Sequence, residues 1–241
     1  MTRPGRHGRA LSRSFYNRPT LDVARDLLGK ILVRSSAAGV TSGMIVEAEA
    51  YIGESDPACH ASRGRTTRNE PLYGEPGYAY VYLNYGMHHL VNAVTEPAGT
   101  AAAGLIRALE PVRGIDLMRA RRAAGRRAGG PELPTCELCR GPGNLGRAMG
   151  ITLDDDRLDL TASTRSALWI EDAGHQVHDV GWSPRVGIRV GIDRLWRCYV
   201  IGHPCVSGGR AISSALADCR PASIRRPRGT RSSCRREPRP S

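Results

Sequence analysis

The chain has 241 residues, of which 40% are hydrophobic, and a formal net charge of +12 at pH 7. This length and composition suffice for one substantial core, so a single folded domain is the simplest prediction. The sequence contains no uninterrupted apolar run of about 18 residues and no hydrophobic segment after its first arginines, which argues against a membrane span and an export signal. We therefore expect a cytoplasmic protein, associated with the nucleoid if it is bacterial.

The positive charge is concentrated at the two ends of the chain. Residues 1–18 contain five arginines and no acidic residue, and residues 208–241 contain nine arginines and two acidic residues. The stretch between these two segments is formally neutral. Segments that are rich in Arg, Gly, Ser and Pro and poor in apolar residues tend to stay disordered. We predict a flexible basic arm over residues 1–18, a catalytic domain over 19–207 and a disordered tail over 208–241.

The seven cysteines predict neither a disulfide framework nor a cofactor. An odd number without an export signal disfavours disulfides, and Cys136 and Cys139 form a lone C-x-x-C pair. A zinc site that is completed only after folding stays open as a minor alternative. Its candidate further ligands are Cys59, His60, Cys198 and Cys205.

The first predicted elements are a helix and a β-hairpin. Apolar residues recur at helical spacing from Thr20 to Leu28, and Gly29 is well placed to end the helix. Residues 30–34 have the composition of a strand. The small residues at positions 35–43 turn the chain into a second strand over residues 44–51.

The second strand carries two carboxylates inside an apolar run. Side chains alternate between the two faces of a strand, so Ile45, Glu47, Glu49 and Tyr51 are predicted to share one face. The two acids thus occupy positions where apolar residues would be expected. Alternation alone does not decide which acid is functional and which is a structural acid paired with an arginine.

A long polar loop and three further strands follow. Loops as long as residues 53–77 are usually functional or disordered, and the three arginines in this loop, at positions 63, 65 and 68, favour a function. Residues 78–85, 88–95 and 103–109 predict an antiparallel meander beside the acidic strand. Helices are expected near residues 115–118 and 145–149. Short strands are expected at residues 157–160, 168–170, 185–190 and 196–200.

The meander begins with a segment that holds four of the chain's eight tyrosines. An acid beside flat aromatic rings, with guanidinium groups in the loop between them, suits a nucleotide that is flipped out of a helix. The rings would hold the base, the carboxylate would perform the chemistry and the cations would contact phosphates. Tyr78 and Tyr80 are predicted to pack in the sheet, and His88 and His89 to be structural.

Seven motifs in these segments resemble, in the same order, those of the alkyladenine (3-methyladenine) DNA glycosylases. They are ARDLLGK (24–30), IVEAEAYIG (45–53, followed by Asp56 and His60), GRTTRN (64–69), GYAYVYLNYGM (77–87), LIRALEP (105–111), GPGNL (141–145), and RVGI (185–188) with WR (196–197). The resemblance covers residues 20–207 and implies an α+β fold. This fold is a single domain built on a curved, mostly antiparallel sheet flanked by helices.

The resemblance also implies an activity. These enzymes hydrolyse the N-glycosidic bond of alkylated purines in base excision repair. The implied partner is duplex DNA with alkylated or deaminated purines, and we expect a monomer. Glu49 matches the general base that activates water for attack on the sugar C1′, and Arg107 matches an active-site arginine near that water and the phosphate.

The remaining site residues are implied by the same motifs. Tyr51 and Tyr82 match the rings that sandwich the base, and His60 matches a pocket histidine that also touches it. Asn92 matches the side chain that crowds a purine 2-amino group. Tyr85 matches the aromatic wedge that enters the minor groove and occupies the vacated stack.

The residues also lead to one expectation about strand cleavage and to one alternative function. Glycosylases that also cut the strand need an amine to form a Schiff base, and Lys30 is the chain's single lysine, so no lyase activity is expected. The same tyrosines and arginines could instead serve a non-catalytic module that binds damaged DNA or structured RNA.

Overall fold

The structure is a computed structural model, and it describes residues 8–124, 130–163 and 165–208. The predicted tail from residue 209 onward and the first seven residues of the predicted arm lie outside the described residues.

The described residues form nine strands and five α-helices. The strands are β1 (Arg9–Ala10), β2 (Ile31–Ser36), β3 (Gly39–Ile52), β4 (Ala79–Asn84), β5 (His88–Val94), β6 (Ala102–Arg113), β7 (Leu168–Asp172), β8 (Val180–Ser183) and β9 (Arg197–Val200). The helices are α1 (Arg13–Tyr16), α2 (Thr20–Leu27), α3 (Ile115–Ala123), α4 (Thr135–Leu138) and α5 (Pro142–Met149). Three short 3₁₀ helices span His60–Arg63, Glu70–Tyr73 and Leu153–Asp155.

The strands form one strongly curled sheet, and every strand pair in it is antiparallel among the described residues. The strand order is β1-β7-β2-β3-β6-β5-β4, and β9 pairs with both β3 and β8. Strand β3 is the centre of this arrangement because it pairs with β2, β6 and β9. The predicted α+β class, the β2–β3 hairpin and the β4–β5–β6 meander are all confirmed.

Two helices pack their apolar faces against the sheet, as their spacing predicts. Val23, Ala24 and Leu27 of α2 are completely buried and belong to the main core. Leu145, Ala148 and Met149 of α5 join the same core. Helix α5 ends at Gly150, whose left-handed φ of 74° a glycine adopts without strain. Within the described residues, no helix is long and apolar enough to cross a membrane.

A β-bulge in β3 corrects the predicted alternation at Ile45. The register against β6 shifts between Ile45 and Glu47, and again between Glu47 and Ala48. A bulge inserts one residue and changes which face the following side chains occupy. Ile45 therefore packs in the main core with Ala48 and Ala50, whereas Val46 lies in a separate small cluster with Cys205.

The prediction of a flexible arm is wrong for residues 8–18. Arg9 and Ala10 pair with β7, and the Tyr16 side chain is completely buried. The arginines that suggested disorder have acidic partners: Arg13 pairs with Asp159 and Arg18 with Asp26.

Two of the predicted short strands are also wrong. Residues 157–160 make only an isolated bridge, between Tyr78 and Asp159. Residues 185–190 form a loop instead of a strand, because the Val186 backbone N–H and the Arg185 side chain bind Glu49 and Asp56.

Candidate active site

The candidate active site is a cavity of about 410 Å³ over one face of the sheet. Residues that pair directly across antiparallel strands project from the same side of a sheet. Glu49 pairs with Leu105, Leu105 with Asn92, and Asn92 with Tyr80. These four residues form one row of side chains across β3, β6, β5 and β4, and this row faces the site.

The cavity gathers six of the seven residues to which the family resemblance assigns a role. They are Tyr51, His60, Tyr82, Tyr85, Asn92 and Arg107. The seventh, Glu49, is completely buried behind the cavity wall. It binds three residues of that wall, so all seven side chains belong to one site, while their roles stay predictions.

Three donors converge on the Glu49 carboxylate. Its Oε1 accepts a hydrogen bond from the Val186 backbone N–H at 2.7 Å, and its Oε2 accepts one from the Tyr51 hydroxyl at 2.9 Å. Nη1 of Arg107 lies 3.2 Å from the same Oε2. Burial raises the pKa of Glu49, although Arg107 and the two hydrogen bonds oppose the shift. A carboxylate has about four acceptor positions, so these donors leave about one for another ligand.

Glu47 is the structural acid of the pair, held by two buried arginines. Its Oε1 accepts from Nε of Arg107 at 2.8 Å and from Nε of Arg197 at 2.7 Å. Ser207 adds its backbone N–H at 2.6 Å and its hydroxyl at 2.9 Å. Burial opposes ionisation of Glu47, but the two guanidinium groups outweigh it and lower the pKa of this carboxyl. Glu47 thereby anchors Arg107, which in turn reaches Glu49.

The sequence did not predict the contributions of Arg197 and Ser207. Arg197 donates to the Ser183 hydroxyl at 2.9 Å and to the Ser207 carbonyl at 2.6 Å. Arg197 lies on β9, which pairs with β3, so these contacts hold Ser207 against the central strand. The W-R motif was part of the family resemblance, but no role was attached to its arginine.

An aromatic cluster forms another wall of the cavity. Nδ1 of His60 lies 2.8 Å from the Tyr80 hydroxyl oxygen, and the His60 ring meets the Tyr82 ring edge-on at a centroid distance of 4.5 Å. Tyr80 therefore lines the site in addition to packing in the sheet, which corrects its predicted role. Burial and then the charge of Arg68 lower the pKa of His60, which favours its neutral form.

Asn92 and Tyr82 also belong to the lining of the cavity. The Asn92 side-chain amide donates to the Tyr80 carbonyl oxygen at 2.9 Å, which fixes its orientation. Burial, followed by the charge of Glu49, raises the pKa of Tyr82 to about 12. The Tyr82 phenol therefore stays protonated at neutral pH.

Tyr85 differs from the other site residues because it is 83% exposed. It lies at the tip of the β4–β5 hairpin and has a positive φ of 49°, which is uncommon for a residue other than glycine. Gly86, at φ 70°, completes the turn. The hairpin thus presents an aromatic ring to solvent at the edge of the cavity.

A buried ion pair supports the Tyr51 side of the site. Arg185 binds Asp56 through two contacts of 2.5 and 2.7 Å, and both side chains are completely buried. The Arg185 guanidinium also donates to the Ala50 carbonyl and lies 4.6 Å from the centre of the Tyr51 ring. No role for Arg185 could be predicted from the sequence, because its partner lies 129 residues earlier.

Across residues 8–124, 130–163 and 165–208, no group of three or more His, Cys, Asp or Glu side chains could hold a metal ion. The cysteines in these ranges are free thiols. Cys139, one of the two C-x-x-C residues, is buried in the main core with its Sγ 3.8 Å from the Met118 Sδ.

Comparison with known proteins agrees with the resemblance found in the motifs. The model of the methylpurine-DNA glycosylase family matches residues 14–204. A relative from Methanocella arvoryzae is 49% identical over 200 residues, which cover 82% of this chain and 95% of the relative. A relative from Chlorobium phaeobacteroides is 46% identical, and the match covers 83% of this chain and 96% of the relative. A relative from Burkholderia lata is 45% identical, and the match covers 83% of this chain and 92% of the relative. All three carry the name "Putative 3-methyladenine DNA glycosylase". The chain therefore belongs to the methylpurine-DNA glycosylase family.

Proposed function

We propose that this protein is a monofunctional DNA glycosylase that hydrolyses the N-glycosidic bond of alkylated purines, such as 3-methyladenine, in duplex DNA. The observation that carries the proposal is the Glu49 carboxylate, held by three donors directly behind a cavity with aromatic walls. The names of the relatives supply the substrate class.

In the proposed mechanism, Glu49 acts on the sugar side of the flipped nucleotide. The acceptor position left on its carboxylate holds the attacking water and takes a proton from it. Cleavage of a glycosidic bond passes through an oxocarbenium-like sugar, and a nearby carboxylate stabilises that positive charge. Arg107, fixed by Glu47, orients the Glu49 carboxylate and the water.

Tyr51, Tyr82 and His60 act on the base. Stacking on an aromatic side chain contributes about 1–3 kcal/mol per base, and a positively charged base adds a cation–π term of about 0.5–2 kcal/mol. Together these terms are comparable with the few kcal/mol that flipping costs. Weakly paired, alkylated purines are therefore favoured over normal bases.

The acid–base state of the site favours purines that are already cationic. An N-alkylated purine cation is a good leaving group and needs little help from an acid. Neutral His60 and protonated tyrosines of raised pKa are weak acids, so deaminated purines, which are neutral, would leave more slowly. Tyr85 fills the gap that the flipped base leaves in the helix, since its ring is exposed at the cavity edge.

The first test is release of the free base. The purified protein, incubated with alkylated duplex DNA, is expected to release 3-methyladenine, detected by chromatography, and to leave abasic sites. A non-catalytic module would bind the same DNA with no free base appearing. Binding without release by the wild-type protein would therefore contradict the proposed function and support the alternative.

A second prediction is that the protein does not cut the DNA strand. Lys30 is the only side chain that could form a Schiff base, and its Nζ is paired with Asp172 at 2.8 Å, beside a different cavity from the one that holds Tyr51. We expect borohydride to trap no covalent complex with an abasic duplex, and the strand to stay intact. As a control, Lys30→Arg should release the base at the wild-type rate. A trapped complex would contradict monofunctional hydrolysis.

A further inference from the structure

Exposed apolar side chains are concentrated in two segments that each contribute residues to the cavity lining. Ten large apolar side chains are exposed among the described residues, and seven of them lie in two short segments. Leu83, Tyr85 and Met87 belong to the hairpin tip, and Val186, Val190, Ile192 and Leu195 belong to residues 186–195, which we call the rim loop. Contiguous exposed apolar surface commonly marks an interaction site. The hairpin tip already has a proposed role, whereas the rim loop has none.

The rim loop is held at both of its ends, so its apolar side chains are presented by an anchored backbone. Arg185, just before the loop, is bound to buried Asp56. Near the other end, Arg194 donates to the Ser55 carbonyl at 3.0 Å and lies 3.7 Å from the same aspartate. Between them, Gly191 has a φ of 62°, and a Cβ there would lie 3.1 Å from the Arg185 guanidinium. The fold therefore holds the loop in a position where its apolar side chains are exposed.

The loop is continuous with the candidate active site. Val186, Gly187 and Ile188 line the cavity, and the chain then runs outward through Val190 and Ile192. A nucleotide bound in the cavity is covalently linked to its neighbours, so the flanking strand has to leave the cavity across its rim, part of which is formed by Val186, Gly187 and Ile188. A protein partner on the same surface would compete with the DNA.

The chemistry of the loop matches a nucleic-acid strand. Deoxyribose offers apolar C–H surface between phosphates, and packing an exposed apolar side chain on it removes apolar surface from water. Arg189 is exposed and, among the described residues, has no hydrogen bond or ion pair within the protein. With Arg194 and one acid, Asp193, the loop has a formal charge of +1.

We propose that the rim loop is a second DNA-contact surface, in which Val190 and Ile192 pack on the deoxyribose of the strand that flanks the flipped nucleotide and Arg189 contacts a phosphate. This inference rests on the proposed function, because it takes duplex DNA as the ligand of the cavity. It extends the DNA interface to a part of the chain far in sequence from the hairpin.

The test compares two matched double variants. Val190→Ser/Ile192→Ser removes side chains that are 49% and 59% exposed on the loop, and Val112→Ser/Leu153→Ser removes side chains that are 55% and 51% exposed and do not line the cavity. Affinity for a duplex containing ethenoadenine is measured by fluorescence anisotropy over a range of salt concentrations. We expect about 5- to 30-fold weaker binding for the loop variant, because its apolar contacts are lost. The control variant should bind like the wild type.

Arg189→Ala separates the ionic contact from the apolar ones. Log affinity falls linearly with log salt concentration, and each phosphate contact adds about 0.9 to the steepness of this fall. The Arg189→Ala variant should therefore show a slope that is shallower by about that amount. The loop double variant should leave the slope unchanged. A loop double variant that binds as tightly as its control, or an Arg189→Ala variant with the wild-type slope, would overturn the inference.

Base release by the wild-type protein keeps the two proposals distinct. Release by the wild type together with unchanged affinity of the loop variants refutes only the rim-loop contact. No release by the wild type refutes the glycosylase function, while the affinities still report whether the loop touches DNA.

Discussion

Replacing Glu49 by glutamine is expected to lower the rate of base release by about 10²- to 10⁴-fold, the usual contribution of a general base. Glutamine keeps the shape of the side chain and an oxygen that can accept from the Tyr51 hydroxyl or the Val186 N–H. It cannot take a proton from water, and it carries no charge to stabilise the sugar cation. The measurement is single-turnover release from a lesion duplex with enzyme in excess, so that binding does not limit the rate. DNA affinity should change little, because Glu49 is buried.

The pH dependence supplies a second readout for the same residue. The carboxylate is the active form, and burial raises the pKa of Glu49 above that of an ordinary glutamate. The single-turnover rate should therefore fall as the pH is lowered through this raised pKa, and the residual rate of Glu49→Gln should lack that decline. Glu54→Gln, which changes an exposed carboxylate, is the matched control and should behave like the wild type. Wild-type release by Glu49→Gln would remove Glu49 from the mechanism.

Replacing Glu47 by alanine is expected to lower the free energy of unfolding by about 3–5 kcal/mol, the usual cost of removing one partner from a buried ion pair. Arg107 and Arg197, whose side chains are only 7% and 4% exposed, share this carboxylate, and Ser207 donates to it twice. All of these donors lose their acceptor in the variant. The measurement is equilibrium denaturation by urea at neutral pH. Base release should also fall, because Arg107 loses the contact that fixes it against Glu49.

The direction in which stability changes with pH gives a further check on the buried cluster around Glu47. The lowered pKa of Glu47 means that its stabilisation is present above the pKa of an unfolded glutamate and is lost as the pH falls through the folded value. Glu132→Ala is the control, since Glu132 is 72% exposed and pairs with Arg119, and it should cost at most about 1 kcal/mol. A Glu47→Ala protein as stable as this control would contradict the structural role of the buried cluster.

The local parts of the site could be predicted from the sequence. Glu49 and Tyr51 are two residues apart on one strand, so period-two alternation puts them together, and the structure joins them by a hydrogen bond. The hairpin and the meander follow from strand composition and turn residues. The family motifs then selected Glu49 over Glu47, which alternation could not do.

The long-range parts could not be predicted in the same way. Arg185 meets Asp56 across 129 residues, and Ser207 meets Glu47 across 160. No local pattern encodes these partners. The bulge after Ile45 was missed for a related reason, because it depends on how β3 registers with β6 and not on the composition of β3 alone.

The N-terminal segment shows why composition misled. It contains five arginines and no acidic residue, but Leu11 and Tyr16 are buried and anchor the segment. The excess charge is compensated by acids elsewhere in the chain, such as Asp159 for Arg13. The net charge of a short segment therefore says little about whether the segment is ordered when its acidic partners lie on other elements of the fold.

The most direct test of the account is the position of the lesion in a crystal structure of the Glu49→Gln protein bound to a duplex that contains ethenoadenine. We predict that the base lies between Tyr51 and Tyr82, with a water held between residue 49 and the sugar C1′. A base that stays stacked in the helix, or a C1′ that lies away from residue 49, would contradict it.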